Sequence, residues 1–472
     1  MMNYKLYVGG EFEDGNILLD VFNPYDNKKV GTTFVAEQKH LEKAIVRAKN
    51  VEKEMKLLPV YKKYEILQSI AKQILEKKDE MALVLASESG KPLKYALGEI
   101  ERAAQTFVIA SEECKRIPNE YFSLDWTAAG HGKEALVKYF PVGLTAGIAP
   151  FNFPLNLAVH KIAPAIAVGN PIILKPARST PLSTLLLAQI IDKTDLPKGA
   201  LSILPMDRES GNQLVTDSRF KKLSFTGSPE IGWEMKRNAG SKKVTLELGG
   251  NAGVIVSKFA DIKDAVKKSV AGSFAYSGQV CIHVQRIYVQ DEIFDDFVEE
   301  FKLLTSKLKE GAPESLDTDI SSMIDENNAK RVENWVNEAV LAGATVLHGG
   351  NRRGTFFEPT IMTNTTVDMK VCFLEIFGPV VSIERFSTFK EAINLLNDSQ
   401  YGLQAGVFTD NVKEVNYAFE HLEVGGVINN DVPTFRVDHM PYGGVKNSGF
   451  GREGVKYAMM EMMEPKLLVK EK

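Results

Sequence analysis

The chain reads as an α/β protein built on a doubly wound parallel sheet, and three observations predict this. From Leu144 onward, short apolar runs alternate with amphipathic stretches, the rhythm of strand–helix–strand units rather than of hairpins. After Gly250 the same alternation begins again, so a second α/β unit follows the first. With 472 residues, 44% hydrophobic and 25% charged, the chain can bury two or more cores.

Residues 4–35 read as short strands around the turns Gly9-Gly10 and Asn23-Pro24-Tyr25-Asp26. Leu41, Ala44, Ile45, Ala48 and Val51 then recur at helical spacing, as do Tyr64, Leu67, Ile70, Ala71, Ile74 and Leu75. Further helices are expected over 80–88 and 94–115, separated by Gly90-Lys91-Pro92. The first parallel unit has strands at 144–149, 171–174, 201–205, 222–225 and 243–248. Its helices fall at 155–168, 182–192, 209–217 and 230–238, the first stopping at Gly169. Val244, Leu246 and Leu248 share one face of the last strand and Thr245 and Glu247 the other; this strand is expected to be central and covered on both faces. The second unit has helices at 262–274, 291–308 (with Asp291 as its cap), 326–341 and 389–397, Gly343 being a helix stop. A glycine-rich tail, Pro441 to Glu453, closes it.

The 57 Lys+Arg against 61 Asp+Glu leave a net charge of -4, which gives no reason to expect nucleic acid or an anionic membrane as partner. No apolar stretch approaches the roughly 18 residues of a membrane span. The start lacks the apolar core of a signal peptide, so a soluble, cytoplasmic protein is expected. Cys114, Cys281 and Cys372 are too few and scattered for a disulfide scaffold or zinc cluster, and no metal site is expected.

In doubly wound sheets ligands bind beyond the carboxyl ends of the strands, which directs attention to 150–154, 175–178, 226–228 and 247–250. Ser224 to Gly232 runs from strand end through a tight turn to a helix with Pro229 at its first position. It is either a purely structural turn or an anion site for a pyrophosphate at Ser228. Lys175 either flanks a strand or meets a nucleotide. Glu247 is either a solvated edge carboxylate or a buried one with a raised pKa able to act as a general base. Asn152 is a turn residue or a donor to a developing oxyanion. Cys281 follows a helix that breaks at Gly278, which leaves its thiol in a loop on a rigid support; alone, it is equally a small buried hydrophobe.

Taken together, these segments are similar to the motifs of the aldehyde dehydrogenase superfamily. The matches are Pro150-Phe151-Asn152-Phe153-Pro154, Leu174-Lys175-Pro176-Ala177, Phe225-Thr226-Gly227-Ser228-Pro229-Glu230-Ile231-Gly232, Glu247-Leu248-Gly249-Gly250, Gly278-Gln279-Val280-Cys281, Glu375-Ile376-Phe377-Gly378-Pro379 and Pro441-Tyr442-Gly443-Gly444-Val445-Lys446. They stand in the family's order over nearly the whole chain. The resemblance implies that Cys281 attacks an aldehyde to give a thiohemiacetal, with Asn152 and the Cys281 backbone N–H holding the oxyanion. Hydride passes to a nicotinamide. By the same resemblance Glu247 would activate water to release the acid and help deprotonate Cys281.

The resemblance further implies a Rossmann-like NAD(P)-binding domain (1–118 and 139–249), a catalytic domain (250–445) and a bridging segment (119–138 and 455–472). The last includes a hairpin turning at Gly130-His131-Gly132 and builds a homodimer or homotetramer. Lys175 and Glu375 would bind the two riboses and Phe377 the nicotinamide, with Ala149, Phe151, Ala177, Gly227, Ser228 and Leu248 completing the coenzyme site. Arg178 stands where NAD-preferring relatives often carry a glutamate, which implies NADP with NAD possible. Arg102, Phe153, His160, Val280, Ile282 and Arg436 would line the aldehyde pocket and favour a small polar or anionic aldehyde of the lactaldehyde, glyceraldehyde or glyceraldehyde-3-phosphate type. Val280 departs from the arginine of the dedicated glyceraldehyde-3-phosphate branch. The rival readings are a succinate-semialdehyde-type enzyme, a coenzyme-A-acylating enzyme and an inactive homologue.

Overall fold

The structure is a computed structural model describing residues 2–471. Its first sheet has eight strands in the order Gly449–Phe450, Lys243–Glu247, Lys222–Thr226, Thr145–Ile148, Ile172–Lys175, Leu201–Ile203, Leu6–Val8 and Glu11–Glu13. From Lys243–Glu247 to Leu201–Ile203 the pairing is parallel. Antiparallel strands close both edges.

Alternate side chains feed two cores. Ile172, Leu174, Leu201 and Ile203 pack with the helices Val60–Glu76, Leu93–Glu113 and Asn156–Val168. Ala146, Ile148, Ile173, Leu223, Phe225, Val244 and Leu246 face Leu41, Ala44, Ile45 and Ala48 of the helix Gln38–Leu57. Each fully buried aliphatic side chain contributes about 1.5–3 kcal/mol, so this two-sided apolar pattern fixes which face each strand presents.

The strand ending in Glu247 is not central, as the sequence pattern implied. It is the last of the parallel set, and its outer edge pairs Leu246 with Phe450 and Glu247 with Gly449 from the C-terminal tail. Glu247 is buried by a segment two hundred residues away.

The second sheet has seven strands in the order Thr345–His348, Thr360–Thr363, Val380–Phe386, Arg286–Gln290, Gly253–Val256, Gln404–Phe408 and Gly426–Asn429. It is parallel except for its first strand. The helix expected over 291–308 is shorter, Phe294–Thr305 behind a 3-10 turn, and Asp291 does not cap it but accepts a hydrogen bond from the Ser387 hydroxyl. The helix Val412–His421 was not anticipated, nor was Val455–Glu461. The latter packs in the core of the first sheet through Val455 and Met459, and only Met463–Glu471 pairs with the hairpin strand Lys133–Pro141, which pairs in turn with Asn119–Ser123. Among the described residues no helix is long and apolar enough to cross a membrane, and no cluster of side chains is arranged to hold a metal ion.

Candidate active site

Cys281 sits between the two sheets at the end of a strained turn. Tyr276, Ser277 and Gly278 all have positive φ (49°, 53° and 66°), unusual for the first two. Neighbours hold them there: the Tyr276 hydroxyl donates to Ser89 O at 3.0 Å and the Ser277 hydroxyl to Ser321 O at 2.7 Å. At Gly278 any Cβ would lie 2.1 Å from the Gly378 carbonyl oxygen, so glycine is required. The result is a partly exposed thiol whose sulfur lies 3.2 Å from the Tyr442 hydroxyl. Burial pushes this thiol up to about 11, against the Tyr442 hydrogen bond, which lowers it.

The thiol opens onto a cavity of about 530 Å³ lined by Phe151, Asn152, Gly227, Ser228, Glu247, Leu248, Glu375 and Phe377. Asn152, on the turn after the strand Thr145–Ile148, donates one amide hydrogen to Gln279 O at 3.0 Å. Both oxygens of buried Glu247 lack a hydrogen-bond partner. Burial first, then the charge of Glu453, hold this carboxyl well above the usual range, against Arg436, Lys161 and Arg452. Glu453 itself is held down to about 2: burial opposes this, but Lys161 at 3.0 Å and Arg436 at 3.4 Å prevail. Glu375 accepts from Gly250 N at 3.0 Å and burial pushes it up to about 7. Phe377 stands edge-on to Phe151, ring centres 5.9 Å apart.

A second cavity of about 870 Å³, on the other side of the Thr226–Ser228 turn, is lined by Lys175, Arg178, Arg208, Phe225, Ile231 and Glu234. Burial, then Arg178, lower the Lys175 ammonium pKa. These two hollows suit the two halves of a dinucleotide. The turn between them begins the helix Pro229–Asn238, whose Ser228 side chain makes no capping bond, so backbone N–H groups are open to a pyrophosphate. Lys175 and Glu375 lie one in each hollow, each with a charged group able to meet a ribose hydroxyl, and at Gly249 a Cβ would lie 2.3 Å from a Glu375 oxygen. The residues therefore fit the coenzyme. Ala149 and Ala177 line neither hollow; Ala149 ties its N–H to Lys175 O at 3.0 Å beneath them.

On the far side of Cys281 lies a cavity of about 720 Å³ lined by Lys91, Glu99, Arg102, Phe153, Tyr276, Val280, Arg436 and Asp438. Of the residues expected there, Arg102, Phe153, Val280 and Arg436 line it. His160 and Ile282 do not: Ile282 packs with Leu403 and Tyr442, and His160 is buried behind the wall. Asp438 joins them, accepting from Arg102 Nη2 at 2.6 Å and bonding His160 Nε2 at 2.8 Å. Burial would raise this carboxyl, but His160 and Arg102 hold it far below the usual range. Burial and the neighbouring Arg436 depress the His160 pKa, against the Asp438 hydrogen bond, in which the ring Nε2–H donates to the carboxylate. Arg436 stacks its guanidinium 3.6 Å from the centre of the Tyr442 ring, and its buried Nε has no partner.

Sequence reasoning missed Lys91, Glu99, Lys161, Asp438, Tyr442 and Glu453 as site residues. Glu99 accepts the Leu155 and Asn156 N–H groups at 3.0 and 3.1 Å, tying down the turn that bears Asn152, and it pairs with buried Lys91. A signal existed for Lys161: it lies on a helix buried at every position, where a charge needs a partner.

A profile of the aldehyde dehydrogenase family matches residues 12–468. The chain belongs to the aldehyde dehydrogenase family. A 3-sulfolactaldehyde dehydrogenase from Priestia aryabhattai is 44% identical over 467 residues, covering 99% of this chain and 98% of its own. The structure of aldehyde dehydrogenase 21 from Physcomitrella patens, in complex with the reaction product succinate, superposes with a TM-score of 0.97 at 45% identity, over 99% of this enzyme and 98% of that chain. Glyceraldehyde-3-phosphate dehydrogenase GapN from Methanocaldococcus jannaschii, complexed with NADP, gives 0.92 at 40% identity, over 96% of this enzyme and 99% of that chain.

Proposed function

We propose that the enzyme oxidises a short aldehyde bearing an anionic group, with NADP preferred over NAD. The coarser part follows from the family: it is an NAD(P)-dependent, non-acylating aldehyde dehydrogenase acting on small polar aldehydes. The observation that carries the finer part is the pair of guanidinium groups at the aldehyde cavity. Arg102 and Arg436 both line it, Arg102 paired with Asp438 and Arg436 3.4 Å from Glu453. The buried Arg436 side chain still presents an Nε–H with no partner. An apolar aldehyde would leave that charged donor unpaired, whereas a sulfonate, carboxylate or phosphate accepts from it. The 3-sulfolactaldehyde of one relative and the succinate of another are both anionic.

In the reaction, Cys281 Sγ forms a bond to the carbonyl carbon and the oxygen takes the negative charge. The remaining Asn152 amide hydrogen and the Cys281 N–H receive it; losing one such donor typically costs about 3–4 kcal/mol. Bound NAD(P) supplies the hydride acceptor. Glu247 then removes a proton from water as it attacks the thioester carbon, the C–S bond breaks, and the acid leaves with the thiolate restored. The presence of Glu247 supports hydrolysis over transfer to coenzyme A. Arg178, exposed at the edge of the adenosine-side hollow, supports NADP because it can pair with a 2′-phosphate. The hairpin sheet supports assembly with further copies: Tyr121, Trp126, Leu467, Leu468 and Val469 are exposed on the single chain.

The test is steady-state kinetics with 3-sulfolactaldehyde, succinate semialdehyde, glyceraldehyde-3-phosphate, lactaldehyde and propanal, each with both coenzymes. At least one anionic aldehyde is expected to exceed propanal in kcat/KM by about a hundredfold, the worth of one or two charged hydrogen bonds. Anionic aldehydes all falling within threefold of propanal overturn the reading.

A further inference from the structure

Cys281 needs a partner that favours its thiolate, because burial works against ionisation and the thiolate is the attacking form. The groups facing it are Tyr442 and Arg436 from the C-terminal segment, Glu375 from the turn before Phe377, and Glu247 from the strand end. The two carboxylates oppose a negative sulfur. Neither Glu247 oxygen hydrogen-bonds to the thiol or to any other described group. It is therefore poorly placed to take the thiol proton in this arrangement. The Tyr442 hydroxyl, at 3.2 Å, is the polar group in contact with the sulfur.

Tyr442 is also fixed in place. It is buried, its N–H donates to Glu453 O at 3.0 Å, and its carbonyl accepts from Glu453 N at 2.6 Å. Burial, foremost, raises its pKa well above 10, so the hydroxyl stays protonated and toward a thiolate acts as a donor. The Arg436 guanidinium, 3.6 Å from the ring centre, draws electron density from the ring and strengthens that donor.

We propose that Tyr442 is a catalytic residue: its hydroxyl donates a hydrogen bond to the Cys281 thiolate and holds the nucleophile ionised before substrate arrives, leaving Glu247 for the later hydrolytic step. The inference rests on Cys281 being the nucleophile. On ionisation the thiol proton passes to solvent through the cavity onto which the thiol opens, and the phenolic proton stays on Tyr442. When the C–S bond forms, the sulfur becomes a weak acceptor and the hydroxyl is released from it.

The experiment is alkylation by iodoacetamide of the full-length protein without coenzyme or substrate, followed against pH, with modification at Cys281 scored by peptide mass spectrometry. For Tyr442→Phe, which keeps the ring and the stacked guanidinium, the midpoint is expected to rise by about one pH unit. A more basic thiolate is intrinsically more nucleophilic, so the plateau rate at high pH should rise about threefold while the rate near pH 7 falls about threefold. Glu247→Gln removes a carboxylate that opposes the thiolate, so its midpoint should fall or stay; a rise would make Glu247 the group that favours ionisation and overturn the division of roles. A Tyr442→Phe midpoint equal to or below that of the unsubstituted protein overturns the proposal, since the hydroxyl would then be inert or holding the thiol protonated. Should that variant fail to fold, Tyr442→Met, which removes the hydroxyl-bearing ring, carries the test: its midpoint must rise likewise, and an unchanged or lower midpoint overturns the proposal equally. Failure of the underlying reading is separately visible, as full modification of Cys281 in an enzyme that still turns over.

Discussion

Replacing Glu247 by glutamine separates the two halves of the reaction. The side chain is 3% exposed, both of its oxygens lack partners, and Glu453 beside it is held as the anion, so the neutral glutamine fits the same space with little rearrangement. Bond formation by Cys281 and hydride loss do not require this carboxylate, whereas activation of water does. A positioned general base contributes about 10²–10⁴ in rate. Rapid mixing of Glu247→Gln with aldehyde and coenzyme should therefore release one NAD(P)H per site in a burst, followed by steady-state turnover reduced by that factor.

The pH dependence adds a sign. Because burial and Glu453 raise the Glu247 pKa, hydrolysis in the parent enzyme rises with pH as this carboxyl loses its proton above the usual carboxylate range. Removing the like charge with Glu453→Gln should move that ascending limb to lower pH by on the order of one unit. A burst lost together with turnover in Glu247→Gln would place the residue at or before hydride transfer and refute the assignment. A limb unmoved or shifted upward in Glu453→Gln would refute the electrostatic argument.

Arg178→Glu replaces attraction by repulsion at the adenosine-side ribose. The ratio of kcat/KM for NADP to that for NAD should fall by about 30- to 1000-fold, the effect of about 2–4 kcal/mol, and an unchanged ratio means Arg178 does not meet a 2′-phosphate. Arg436→Leu should reduce kcat/KM for anionic aldehydes about tenfold or more beyond its effect on propanal; equal losses would remove this cation from substrate recognition. Leu468→Asp on the exposed hairpin strand should lower the mass measured by light scattering towards that of one chain, and an unchanged mass would show that assembly uses another surface.

Much of this was legible in the sequence because it is local. Helices such as 326–341 and 389–397 follow from apolar spacing within a few turns, and agree with the structure residue for residue. Strand ends at Lys175, Thr226 and Glu247 follow from short apolar runs, and those ends are where the coenzyme-sized hollows lie. The short motifs around Asn152, Glu247, Cys281 and Glu375 named the family without reference to any contact. What periodicity could not give was the partner of each charge. Arg102 and His160 were read alike as pocket residues, yet Asp438 binds both, one at the cavity wall and the other behind it.

The sequence determined the order of elements and the chemical types available, since backbone preference and apolar patterning act over a few residues. Only the tertiary structure decided which ionisable groups share a buried space. The C-terminal tail covers the edge beside Glu247 and brings Tyr442 to the Cys281 sulfur, joining residues far apart in the chain. Protonation and reactivity there depend on desolvation and near charges, quantities that exist only once the chain has folded.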